Sequence, residues 1–214
     1  MKTFILLVAL LCSALNAESI LNFGLGLGQS GGLTSPFRET PSLLGINFHS
    51  EYEAFLQSIQ SVSFRFRYSG YSKKSSFISI SGSSSTSSNA YYLGVSYNIT
   101  NAKISEKHIT EISPIIAYGF EKITWKSEYT SLWSGTPELL SGNDYVEYIS
   151  FGLSGALGIK KNDIIYKFRL SIYYDDILYT ERTVIADTTG DVLEDPKYKT
   201  DIYGQLEFII GFML

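Results

Sequence analysis

The chain of 214 residues contains one cysteine, Cys12, and it lies inside an N-terminal stretch with the layout of a secretory signal. That stretch has Lys2, an apolar run from Phe4 to Leu11, then small residues at Ser13, Ala14 and Ala17. Cleavage after Ala14 or after Ala17 fits the pattern. The mature chain then has no cysteine, hence no disulfide and no thiolate metal ligand, although export takes it to a compartment where disulfides form. Something other than covalent staples must hold it.

Long apolar runs are missing too. Beyond the signal no stretch approaches the ~18 residues of a membrane helix, so any membrane span must be built from strands. Lys and Arg total 17 against 21 Asp and Glu, a net charge of −4 with no basic cluster, which excludes nucleic acid as a partner class. Histidine occurs twice, at His49 and His108, too far apart and too few for a metal site, and no cofactor motif is present. Asp187 to Pro196 carries several acids, but they lack the spacing of a helix-loop-helix calcium site and fit a solvated loop. With no nucleophile placed beside a histidine and an orienting acid, the chain is expected to have no catalytic residues and not to be an enzyme.

What the chain has in quantity is Tyr (16), Phe (13) and Gly (18), arranged with a period of two. Residues 20 to 28 set Leu21, Phe23, Leu25 and Leu27 against Asn22, Gly24, Gly26 and Gly28. Residues 61 to 69 set Val62, Phe64, Phe66 and Tyr68 against Ser61, Ser63, Arg65, Arg67 and Ser69, an alternation no helix can use. Segments 43–54, 91–100, 145–160, 163–175 and 201–214 repeat the pattern. A less regular one spans 111–124, where Pro114 suggests a bulge or a strand end.

These eight segments are joined alternately by short connections (55–60, 101–108, 160–163) and long ones (29–42, 70–90, 125–144, 176–200). In an up-and-down meander that alternation gathers every long loop at one end, as in outer-membrane barrels. The apolar face must point outward. The reverse orientation would put Arg65, Arg67, Lys167 and Arg169 into lipid at roughly 2 to 4 kcal/mol each near the midplane. A soluble lipocalin-like barrel would also overfill its interior with the Leu, Ile, Phe and Tyr set. The expectation is an all-β fold: after a cleaved signal at 1–17, one domain over 18–214 forming an eight-stranded antiparallel up-and-down transmembrane β-barrel. Ten strands would require 75–82 or 123–130 to pair independently. Tyr68, Tyr91, Phe120, Trp125, Tyr145 and Tyr174 should form one interfacial girdle, with Tyr52, Tyr97, Tyr166 and Phe212 as the other.

His49, Glu51, Glu53, Arg65, Arg67, Glu121, Lys167, Arg169 and Glu207 then project into the lumen. The expected arrangement has two groups, one in the hairpin of the second and third segments and one across the seventh and eighth. Opposite charges buried together pair, giving a salt-bridge plug. The alternative use of the same residues is a narrow polar pore.

The last strand, LEFIIGFML, resembles the closing strand that the bacterial barrel-assembly machinery recognises. Leu206, Phe208, Ile210 and Phe212 match its apolar alternation, and Leu214 stands where that family usually ends on an aromatic residue. With the signal, the eight segments and the loop asymmetry, the mature chain resembles the small barrels of the OmpA transmembrane domain, OmpX, OmpW and the opacity proteins. That resemblance implies an outer-membrane location among lipid and lipopolysaccharide, assembly by that machinery, and a structural or adhesion-type role toward a host surface or matrix. It also spans porin-like channels and a few lipid-modifying enzymes, and fold does not choose among them. The long loops are the expected place for recognition. The second is Ser-rich from Ser79 to Ser88, with Phe77 to Ser81 fit to extend a hairpin, and the third carries Tyr129, Leu132 and Trp133.

Overall fold

A computed structural model describes residues 18–30, 43–77, 82–105, 107–130, 137–187 and 202–214. The signal segment, Leu132, Trp133 and nearly all of the acidic stretch after Asp187 lie outside them. The strands are β1 (Ser19–Ser30), β2 (Leu43–Gln57), β3 (Gln60–Phe77), β4 (Gly82–Thr100), β5 (His108–Thr130), β6 (Pro137–Lys161), β7 (Ile164–Asp187) and β8 (Ile202–Met213). Each pairs antiparallel with its chain neighbours, and β8 closes on β1 from Ile20↔Met213 to Gly28↔Gln205, giving a sealed eight-stranded ring. Closure pairs the ladder all round and leaves no edge in the wall.

The period-two pattern resolves as expected. Leu25, Ile46, Phe66, Val95, Ile116, Leu153, Leu170 and Phe208 stand exposed on the outside, while Arg65, Arg67, Ser96, Ser150 and Arg169 are buried inside. At the long-connection end of this apolar belt, Tyr68 faces Tyr91 with ring centroids 5.3 Å apart, and Phe120 stacks on Tyr145 at 6.0 Å. Such cross-strand aromatic pairs reinforce the sheet where lipid gives way to water.

Three details differ from the sequence reading. First, Trp125 does not belong to the outer girdle. It follows Glu121 and Ile123 on the inward parity of β5, and the Arg182 guanidinium lies 5.2 Å from its ring. Second, Pro114 neither bends nor ends a strand. The β4–β5 register is the same on both sides of it, from Ser96↔Ile115 to Ile99↔Ile112, and the unbridged Tyr97 opposite Pro114 reflects the N–H that proline lacks.

Third, most of what reads as long loop is ladder. Tyr71↔Ser88 continues to Phe77↔Gly82, β5 and β6 stay paired to Thr130↔Pro137, and β7 runs to Asp187. Residues 75–77, residue 82 and residues 123–130 therefore extend existing strands, and residues 78–81 lie outside the described ones. Among the described residues β2 pairs with β3 only to Gly70 and β8 with β7 only to Tyr174, so the described part beyond the belt is a five-stranded sheet of β3 to β7. The last seven residues of β3 alone carry it about 23 Å along the strand.

At the opposite end the turns are tight. Lys161 and Ile164 flank a two-residue turn whose Asn162 has φ of 55°, a left-handed conformation that asparagine tolerates. Asn101 organises the β4–β5 turn: its side chain accepts from Thr110 N at 2.8 Å and donates to the His108 carbonyl at 3.1 Å. His108 thus lies at the start of β5, away from the lumen charges.

Candidate functional site

The lumen is filled in layers, and the sequence supplies both the bulky groups and the spaces they need. Across the short-turn end, Ile20, Phe55, Ala102, Ile109 and Ile165 form a buried apolar layer with Met213 packed against it. This cap keeps the inward parity of the strands: Ile20 lies two positions from Asn22, Phe55 from Glu53, Ile109 from Glu111 and Ile165 from Lys167. Ala54 and Phe55 are both buried where the β2–β3 register shifts between Phe55 and Gln57.

Next comes charge. Arg169 is the hub: its Nη1 donates to Glu51 Oε2 at 2.7 Å and its Nη2 to Glu111 Oε1 at 2.8 Å. Lys167 Nζ donates to Glu111 Oε2 at 2.7 Å and lies 3.7 Å from Glu53 Oε2. Arg65 Nε is 3.3 Å from Glu51 Oε2, its direct cross-strand partner, and its Nη2 is 3.9 Å from Glu111. Glu53 also accepts from Ser61, and Asn98 donates to both Ser61 and Ser63. Glu53 and Lys167 are 0 % exposed and Arg169 is 1 % exposed, so this layer is shielded from bulk water.

Above this network His49 Nδ1 lies 3.1 Å from Glu207 Oε1. Arg67 occupies the next level, bonded to Gln205 Oε1 at 2.7 Å and Tyr203 Oη at 3.1 Å, with its guanidinium 3.5 Å from the centre of the Tyr92 ring and 4.4 Å from that of Tyr173. Tyr92 in turn meets Tyr148 edge-on at 5.5 Å, within a cluster that includes Ala90, Ile123 and Val146. Glu121 sits at this upper level and accepts from Ser88.

Large inward side chains are accommodated by glycines on the neighbouring strand. A Cβ at Gly24 would strike the His49 ring, one at Gly119 the Tyr148 ring, and one at Gly152 the Tyr173 ring. Gly24↔His49, Gly119↔Tyr148 and Gly152↔Tyr173 are direct register partners, so small faces large across the ladder.

All nine charged residues expected in the lumen are buried there. Their grouping differs from the two hairpin sets expected. The lumen is narrow enough for Lys167 and Arg169 to reach across it to Glu51, Glu53 and Glu111, while Glu207, their neighbour in register, turns to His49. Glu121 stands apart, held by Ser88 from the adjacent strand. The missing member is Glu111, which accepts from both Lys167 and Arg169. Its signal is parity alone, since Glu111, Ser113, Ile115, Ala117 and Glu121 share one face of β5. Of the closing-strand residues, Leu206, Phe208, Phe212 and Leu214 are exposed outward and Ile210 shares their parity on β8.

A sealed antiparallel ring with an apolar outer belt, aromatic residues at its margin and charges confined within has the architecture of an eight-stranded transmembrane barrel. No protein-family model matches the chain, and no curated protein matches it in sequence. Among solved structures it is similar to the Neisserial surface protein A at 10% identity and TM-score 0.46, over 92% of this chain and 97% of that one. It is similar to Ail, the attachment invasion locus protein of Yersinia pestis, at 11% identity and TM-score 0.43, over 92% and 99%. A major outer membrane protein from Thermus thermophilus aligns at 10% identity and TM-score 0.47, over 92% and 99%.

Proposed function

We propose that the chain is a bacterial outer-membrane barrel with a closed lumen, acting at the cell surface as a structural and adhesion-type protein through the sheet that continues beyond the membrane. The observation that carries this reading is the filling of the lumen. An ion crossing it would have to pass an apolar layer and then displace side chains already paired with one another, at a desolvation cost of several kcal/mol. A closed lumen leaves the outer end to do the work, and the five-stranded extension of β3 to β7 presents far more rigid surface there than flexible loops would.

In this reading residues 1–17 direct export and are removed, and Leu206, Phe208, Ile210, Phe212 and Leu214 present the closing strand to the assembly machinery. Lipid and lipopolysaccharide surround the belt, the nine lumen charges with Glu111 serve as the plug, and no residue is assigned a catalytic role. A variant with the β3–β4 and β5–β6 hairpins cut back to Gly70/Asn89 and Ile123/Asp144 tests the surface role. Intact protein should bind host cells or extracellular matrix, and the shortened variant, verified as folded by its heat-dependent gel shift, should lose most of that binding. Equal binding by the two would reject the role.

A further inference from the structure

At the short-turn end the β4–β5 and β6–β7 turns lie side by side, joined by a bond from Lys160 N to the Lys107 carbonyl at 2.7 Å. This brings Lys107, Lys160 and Lys161 together. Lys160 Nζ also donates to the Ala102 carbonyl at 3.3 Å, which holds its side chain against the β4–β5 turn. Among the described residues no carboxylate lies within 4 Å of these three ammonium groups, whereas Lys103, on the same turn, is bonded to Glu18 at 2.9 Å. Glu106 lies outside the described residues, and Asp163 follows the β6–β7 turn, where its carbonyl accepts from Met213 N at 2.8 Å. Like charges set opposite each other on adjacent strands are destabilising, and an anion between them removes the repulsion.

The wall that leads to these lysines is apolar. Lys161 ends the outward file of β6 that contains Leu153, Leu157 and Ile159, all exposed. Gly155 interrupts that file between its register partners Ile112 and Leu170, which are exposed as well. A Cβ at Gly155 would meet only the Glu111 carbonyl oxygen, at 4.0 Å, so the wall is notched there. From Gly155 to Lys161 the strand covers about 20 Å, which at a tilt near 45° is about 14 Å of depth, close to half of the ~25 Å apolar band. A single leaflet's acyl chain therefore reaches from the lysines to the notch. Ile104, exposed on the β4–β5 turn, adds an aliphatic group beside the charges. Lysines next to exposed aliphatic groups, at the margin of an apolar belt, match an anionic lipid surface better than a soluble anion.

We propose that Lys107, Lys160 and Lys161 bind the phosphate of an anionic glycerophospholipid in the leaflet on the short-turn side, with an acyl chain lying on Leu157 and Ile159 and ending at Gly155. The site is at the end of the barrel opposite the outer sheet, so it goes beyond the surface role and stands whether or not that role does. Phosphatidylglycerol is the probe. Full-length mature protein is assembled into nanodiscs of mixed phosphatidylcholine and phosphatidylglycerol, and the lipids it retains are identified by native mass spectrometry. The wild type should retain phosphatidylglycerol in preference to phosphatidylcholine. A lysine beside an anionic lipid surface changes affinity roughly fivefold, so Lys161→Gln should cut the preference by about that factor. Combining it with Lys107→Gln and Lys160→Gln should abolish the preference, while a heat-dependent gel shift verifies that the barrel is folded. Lys122→Gln, at the other end of β5, should leave the preference intact. Equal retention of the two lipids by the wild type, an unchanged preference in the triple variant, or loss of the preference in Lys122→Gln would each overturn the proposal.

Discussion

Arg169 and Glu51 meet at 2.7 Å across the lumen although 118 positions separate them in the chain, and the same guanidinium holds Glu111 from a third strand. One side chain thus ties β7 to β2 and β5, three strands that are not neighbours in the ring. Replacing it with alanine leaves the buried Glu51 and Glu111 short of a partner. Arg169→Ala should lower the unfolding free energy by about 3 to 5 kcal/mol, measured by denaturant titration in detergent micelles. A loss below about 1 kcal/mol, the scale of an exposed pair, would mean that the network is solvated and does not plug the barrel.

The pairing of glycine with large inward rings makes a separate prediction. Gly119→Val drives a branched side chain into the Tyr148 ring, and overpacking of this kind costs about 1 to 3 kcal/mol. Combining it with Tyr148→Ala should recover much of that loss, because the second change empties the volume the first one needs. Simple additivity of the two changes would show that the rings do not depend on the glycines for space.

How far this was visible in the sequence depends on what faces each side of a strand. Within the belt one face meets lipid and the other the lumen, so Val62 to Tyr68 alternates cleanly and the strand is legible. Beyond it neither face meets lipid, apolar alternation has no cause to persist, and the Ser-rich stretch from Ser83 to Ser88 has the composition of a flexible tip. Its order comes from backbone pairing with β3 and β5, which side-chain patterns do not record. Glu111 and Trp125 were legible by parity but lie at the margins of a segment defined by its apolar residues. The cross-lumen partners of Arg169 required the barrel radius, which no single strand encodes.

Orientation of the wall is tested by moving one charge between two outward positions of β4. Val95 stands midway along the apolar belt, and Val95→Arg should cost about 2 to 4 kcal/mol in lipid bilayers. Ser87 faces outward beyond Tyr91 on the same strand, and Ser87→Arg should change stability by no more than about 0.5 kcal/mol. Equal effects at the two positions would place the belt elsewhere.

The closed lumen is tested most directly by planar-bilayer conductance of the refolded mature protein, once a heat-dependent gel shift has verified the barrel. A silent bilayer is expected for the wild type at all moderate voltages, because the apolar layer of Ile20, Phe55, Ile109 and Ile165 and the network around Arg169 together close the lumen to ions. Discrete, reproducible current steps from the verified wild-type barrel would contradict it.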